Sequence, residues 1–478
     1  MTSGPVTTGP APLEGRPEPT ARRAAFDEHH PPARELINDC VHCGFCLPTC
    51  PTYQLWGEEM DSPRGRILLM DAAERGELDL TDQLVGHWDA CLGCMACVPA
   101  CPSGVQYNRL IEQTRQQVER RYRRSWQQRA LRTAIFAMLP YRGRMRAAAA
   151  LLAAYNASGA RGAVRRSGVL ARLPHRLRRL DDLAPALDLA AMRARTPART
   201  APSGPRRARV AMLTGCVQDA FYAEVNAATA RVLAAYGCEV LAPREQGCCG
   251  ALEIHSGREA SALHRARALI ALLEPLEVDM VVVNAAGCGS SMKEYAMLLE
   301  DDPGWRDRAT AFATRVRDVS EVLDELGAPE GVLQPLQLRV GYHDACHLGH
   351  AQGVRLQPRA LLSAIPGVEV VPIAEGDMCC GSAGIYNLVQ PDAADALGER
   401  KAANVLRADV DALAAGNGGC LLQIGAALRR AGRPLPAFHP VELLDASLRG
   451  VGSDELLRQR TLREAGPRGF LGGRHARS

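Results

Sequence analysis

CVHCGFCLPTCP, residues 40–51, and CLGCMACVPACP, residues 91–102, decide how this chain is to be read. Each is a C-x2-C-x2-C-x3-C-P run, the spacing of bacterial two-cluster proteins. Thiolates two residues apart let one loop wrap a cubic cluster and present three ligands, so the fourth must come from elsewhere. In the two-cluster arrangement the last cysteine of each run crosses to the other cluster. The expectation is therefore two [4Fe–4S] clusters, one on Cys40, Cys43, Cys46 and Cys101, the other on Cys91, Cys94, Cys97 and Cys50. Pro51 and Pro102 turn the chain away after each run, and Gly44 and Gly93 let the backbone approach inorganic sulfide. Four-cysteine zinc knuckles use similar gaps but do not need paired runs that each end in Cys-Pro. A full cage of thiolates leaves no open iron position, which implies electron relay rather than substrate chemistry.

Between the runs, SPRGRILLMDAAERGEL (residues 62–78) reads as a helix with Ser62 as N-cap and Pro63 in its first turn. His87 and Trp88 read as packing residues, and the two-cluster domain spans 33–114. Residues 1–32 are rich in Pro, Gly, Thr and Ala and are expected to form a disordered leader. They carry no secretory pattern, so a cytoplasmic location is expected, where 17 cysteines serve metals or redox chemistry rather than disulfides. No apolar run approaches the roughly 18 residues of a spanning helix. A net charge of +4 from 57 basic and 53 acidic residues argues against a nucleic-acid partner. From 115 to 207 the chain reads as a basic helical connector, densest in RQQVERRYRRSWQQRALR (115–132), that ends in the linker LAAMRARTPARTAPSGPRRAR (189–209). Its arginines are expected on a solvated face, docking on anionic lipid or an acidic partner, peripheral on the cytoplasmic side of the membrane.

A new pattern begins at RVAMLTG (209–215), where short β-branched runs alternate with helical stretches in an α/β order. It then repeats: Cys216, Cys248, Cys249 and Cys288 recur about 130 residues later as Cys346, Cys379, Cys380 and Cys420. The expected fold class is thus α+β multidomain, a helical two-cluster domain followed by two duplicated α/β cysteine-rich domains. The first spans 208–338 with a helical extension and the second 339–449, before a flexible tail, 450–478. Within each repeat the cysteines follow strands, where such folds bind ligands. A disulfide between adjacent cysteines would be strained, so the eight are candidates for a shared metal or cluster. Buried thiols acting as small hydrophobes are the alternative, and the reading for Cys238. Of His343, His347 and His350, only His347 adjoins a candidate ligand; hydrogen bonding after a strand is the preferred role for all three.

Six segments together, DCVHCGFCLPTCPTYQLWGEEMDSPRGRI, ACLGCMACVPACPSGVQY, LTGCVQ, GCCGALEIHSG, GCGSSMKEY and CCGSAGIYNL, resemble the iron–sulfur subunits of glycolate oxidase. The likeness runs from about Asn38 to Leu444, omitting the basic connector. It lies within the wider CCG-domain group, shared by heterodisulfide reductase, anaerobic glycerol-3-phosphate dehydrogenase and lactate-utilisation subunits. The resemblance implies a complex in which flavin-containing partner subunits, with FAD on them and not on this chain, oxidise glycolate to glyoxylate while this chain passes electrons onward. No catalytic residue is assigned here, and no G-x-G-x-x-G follows a strand. An iron–sulfur subunit serving lactate or glycerol 3-phosphate, or a heterodisulfide-reductase-like protein, is the alternative. The full CCG pattern ends in C-x-x-C, whereas Ala285 and Asn417 stand three residues before Cys288 and Cys420. Each repeat is left with four thiolates for an ordinary cluster or zinc, or as relays without metal.

Overall fold

Parallel strands need crossover connections, and the chain beyond residue 199 supplies helices as those crossovers. The computed structural model describes residues 25–172, 175–185, 187 and 195–465. The fold is α+β. Among the described residues nine short strands form two sheets: β1 (Arg199–Thr200), β2 (Ala208–Met212), β3 (Cys238–Leu241), β4 (Met280–Val283) and β5 (Val316–Asp318), then β6 (Leu338–His343), β7 (Val368–Val371), β8 (Ala412–Ala415) and β9 (Ala437–Phe438). Their orders are β1-β3-β2-β4-β5 and β7-β6-β8-β9, with every pair parallel except β1 with β3. Apart from β1, the two sheets have one topology, as a duplicated unit requires. Chain order reverses at β2 and β6, so the loops after β2, β3 and β4, and after β6, β7 and β8, converge beyond the carboxyl ends of the strands.

The repeats are not separate bodies. One apolar core holds Val210, Val240 and Leu233 of the first with Val340, Leu443 and Leu444 of the second. Arg231 grips Asp445 through two hydrogen bonds of 2.7 and 2.8 Å where helices Ala223–Ala235 and Pro440–Leu448 meet. Cys238 is fully buried at the start of β3, and burial pushes its thiol up to about 11.

Ahead of the repeats, helices Pro63–Glu74, Asp82–Asp89 and Tyr107–Arg121 enclose the first pair of cysteine loops around Met70, Trp88, Leu110 and Ile111. Ser62 caps the first of them by accepting from the Gly65 amide at 3.0 Å.

Four expectations change. Residues 25–32, assigned to the leader, are packed: Phe26 is buried against Trp88, and Asp27 pairs with Arg120. The linker contributes β1, which pairs with β3. The tail forms a helix, Ser453–Ala465, whose Leu456 enters the common core. The connector is not a solvated basic face. Helix Trp126–Met138 lies against both repeats through Phe136, helix Arg142–Ala157 against the first through Met145 and Ala149, and helix His175–Leu183 meets the second through Arg179. Many of its arginines are neutralised within the chain: Arg124 by Asp89, Arg142 and Arg146 by Asp219, Arg161 and Arg165 by Asp181, and Arg179 by Asp395. Asp89, Asp219 and Asp395 lie outside the connector and Asp181 a helix away within it, which is why composition alone reads the face as free charge. The expected leader up to residue 24, linker residues 189–194 and the tail beyond 465 lie outside the described residues.

Candidate metal centres

The two loops of the first domain share one backbone. Its third and fifth residues, His42 and Gly44 in one loop and Gly93 and Met95 in the other, all have left-handed φ, between 51° and 88°. Each loop has only one glycine for two such positions, so His42 and Met95 carry strain of the kind found at ligand sites. A side chain at Gly44 would meet the Arg64 guanidinium at 2.8 Å, and Arg64 fastens the loop by donating to the His42 carbonyl at 2.9 Å.

The two loops lie side by side: Cys101 and Cys43 are thiol neighbours of Cys40, and Cys50 is a neighbour of both Cys46 and Cys94. Between the loops lies Arg66, a wholly buried cation that donates to Thr52 at 3.1 Å, Asp61 at 3.2 Å and the His87 carbonyl at 2.6 Å. Burial opposes ionisation of Cys91, but Arg66, Arg115 and the Tyr107 hydroxyl outweigh it and hold this thiol below its ordinary value. The Cys91 sulfur accepts from the Tyr107 hydroxyl at 3.5 Å and from the Gly93 amide at 3.4 Å. Burial drives Cys94 and Cys97 well upward, so as free thiols they would stay protonated. A bound cation is what would make them thiolates. This donor set fits [4Fe–4S] ligation: soft sulfur, amide and hydroxyl donors to sulfur, and a buried positive charge facing an anionic cluster.

The eight cysteines of the repeats line one cavity of about 410 Å³ rather than two separate sites. The connector roofs it with Leu139, Leu152, Leu180 and Leu183. In the first repeat the Cys216 and Cys248 sulfurs are 3.5 Å apart, and Cys249 touches Cys248 and Cys288. In the second, Cys346 and Cys379 are 3.9 Å apart, and Cys380 touches Cys379 and Cys420. Tetrahedral binding of one ion with metal–sulfur bonds of about 2.3 Å places sulfurs roughly 3.8 Å apart, so these contacts suit shared metal. Cys248 is held low by the contacts from Cys216 and Cys249, and Cys380 by those from Cys379 and Cys420.

Of the three histidines near Cys346, His350 makes the expected hydrogen bond, to the Asp377 carbonyl at 3.0 Å. His347 stands 3.5 Å from the Cys346 sulfur. His343 faces Cys380 and Cys420, a juxtaposition that adjacency in sequence does not reveal. Also unannounced by any motif are Arg66, Tyr107 and a buried acid–base group where the three domains meet: His255 with Glu112 at 3.0 Å, and Glu294 with Asn108 at 3.0 Å. Burial, reinforced by Glu112, raises the Glu294 carboxyl to about 7.

Family models match most of this architecture. A 4Fe-4S dicluster domain matches residues 36–105, a cysteine-rich domain matches 210–293 and 340–425, and the linker region of the glycolate oxidase iron-sulfur subunit matches 127–184. A probable glycolate oxidase iron-sulfur subunit of Bacillus subtilis is 40% identical over 416 residues, 86% of this chain and 93% of that one. The chain belongs to the glycolate oxidase iron–sulfur subunit family. A second member, from Escherichia coli, is 32% identical over 430 residues, 87% of this chain and 95% of its own. Lactate utilization protein A of an Exiguobacterium strain is 29% identical over 240 residues, half of this chain and 98% of that one. The family's own linker model falls on the helices that roof the cavity. Among the described residues of this family member no helix is long and apolar enough to cross a membrane.

Proposed function

We propose that this chain is the electron-transfer subunit of a glycolate-oxidising complex, receiving electrons from a flavin-bearing partner and passing them toward its cysteine-rich repeats. Cys40, Cys43, Cys46 and Cys101 would hold one [4Fe–4S] cluster, and Cys91, Cys94, Cys97 and Cys50 the other. Clusters bound there would supply one-electron carriage at potentials set by charge, hydrogen bonding and exposure.

The observation that carries this reading is the opposite placement of the two loops. Cys43 is exposed, flanked by exposed Val41 and Phe45, so this end is open to a donor. Cys94 is buried in one apolar cluster with Cys346 and Cys379 of the second repeat. The Tyr386 hydroxyl ties the junction by donating to the Ala90 carbonyl at 3.1 Å. Arg66 and Tyr107 contribute charge and hydrogen bonding to the buried end. No residue of this chain is assigned to the oxidation of glycolate, which belongs to the partner.

The test is to purify the chain anaerobically with the flavoprotein that accompanies it and follow its EPR signals. Glycolate should reduce them in the complex and leave the isolated chain unreduced, while dithionite reduces both. Reduction by lactate with none by glycolate would replace glycolate as the substrate of the complex.

A further inference from the structure

His343 ends β6 with its side chain fully buried and neither ring nitrogen hydrogen-bonded. Such a group pays desolvation without compensation unless a partner other than a protein donor or acceptor satisfies it. One of its nitrogens and the sulfurs of Cys380 and Cys420 lie within 4.8 Å of one another, all three residues buried. The carboxyl ends of β6, β7 and β8 bring them together, each from a different crossover of the second repeat.

We propose that His343, Cys380 and Cys420 hold a single zinc-class divalent ion, with its fourth coordination position at the cavity wall formed by Cys346 and Cys379. The inference rests on the reading of the second repeat's thiols as metal ligands and deepens it. Two thiolates and an imidazole around one point are the donors of a mononuclear tetrahedral site. A cubic cluster would spread its ligands over four irons, and thiolates are its usual partners. The Asn417 amide, 3.5 Å from the Cys420 sulfur, leaves that thiolate a hydrogen bond outside the coordination sphere. The first repeat does not have the same site. Leu213 stands three residues before Cys216, as His343 does before Cys346. The duplicated halves therefore bind metal differently.

The experiment counts zinc, iron and acid-labile sulfide in the full chain purified anaerobically, as wild type, His343→Leu, His343→Cys and Cys380→Ser. One zinc-class ion per chain is expected in the wild type and in His343→Cys, which keeps a ligand in place. His343→Leu and Cys380→Ser should lose it while the dithionite-reduced EPR signal of the first domain persists. A wild type without a non-iron ion, or retention of the ion in His343→Leu, overturns the proposal. So does loss of iron and sulfide in place of zinc, or equal loss in His343→Cys, which would mark a packing defect. Absence of the EPR signal from the wild type would instead strike at the relay reading and leave the zinc count intact.

Discussion

Cys43, in the middle of the first ferredoxin-type loop, is exposed between Val41 and Phe45, each 66% accessible. Its counterpart Cys94 is 8% accessible and faces Cys346 of another domain. The backbone of the two loops is the same down to its left-handed positions, so ligation geometry follows from the spacing of the cysteines. Access does not. What each loop can exchange electrons with is decided by residues outside the motif: Arg66 between the loops, Tyr386 over the second, and at the first Arg64, which holds the His42 carbonyl and leaves Cys43 exposed.

The comparison can be broken most severely at Arg66. Arg66→Met should destabilise the chain by about 3–5 kcal/mol, because Asp61 then loses its buried guanidinium and keeps only His87, at 3.1 Å. Anaerobic thermal melting would show it. A cost below about 1 kcal/mol would mean that the loops are held independently of this cation.

Next in size is the junction behind the buried loop. The Glu294 carboxyl, near 4.5 when unfolded and about 7 when folded, binds its proton more tightly in the native state. Its contribution is therefore complete below pH 4.5 and disappears as pH rises through 7, a fall of about 3 kcal/mol. Glu294→Gln should flatten the decline in melting temperature between pH 5 and 7.5 relative to wild type; an unaltered slope would exclude this group as its source.

Smaller still, Tyr386→Phe removes the hydrogen bond to Ala90 and should cost about 1 kcal/mol while speeding iron loss from the second loop to a chelator. The first loop should be unaffected; equal acceleration at both loops would deny the asymmetry. Phe45→Asp should change stability by no more than about 0.5 kcal/mol, since the ring touches solvent. It should nevertheless slow reduction of the chain by the partner's flavin, and an unchanged rate would place the entry point elsewhere.

Local patterns carried much of this. The cysteine runs, the Ser62 cap, the strand and helix order after residue 208 and the duplication are all short-range or periodic signals, and the folded chain follows them. The remainder depends on contacts between distant residues. Phe26 lies in a stretch that offers nothing to bury by composition, yet it meets Trp88 in space. Arg142 finds Asp219 across 77 residues, so a stretch that counts as free positive charge is largely spent inside the chain. Adjacency in sequence singles out His347, beside Cys346, whereas the fold turns the ring of His343 to Cys380 and Cys420. Adjacency along a chain is a poor guide at the end of a strand, where the next two crossovers supply the neighbours.

The leucine roof has a consequence for how this protein is made. Its helices, between residues 126 and 183, are translated before any of the eight cavity cysteines. Helix Arg142–Ala157 has a surface to settle on as soon as Ala220 of the first repeat is in place, whereas Phe136 of helix Trp126–Met138 must wait for Ile385 of the second. The cover is made before the cavity and is fastened to it in two steps.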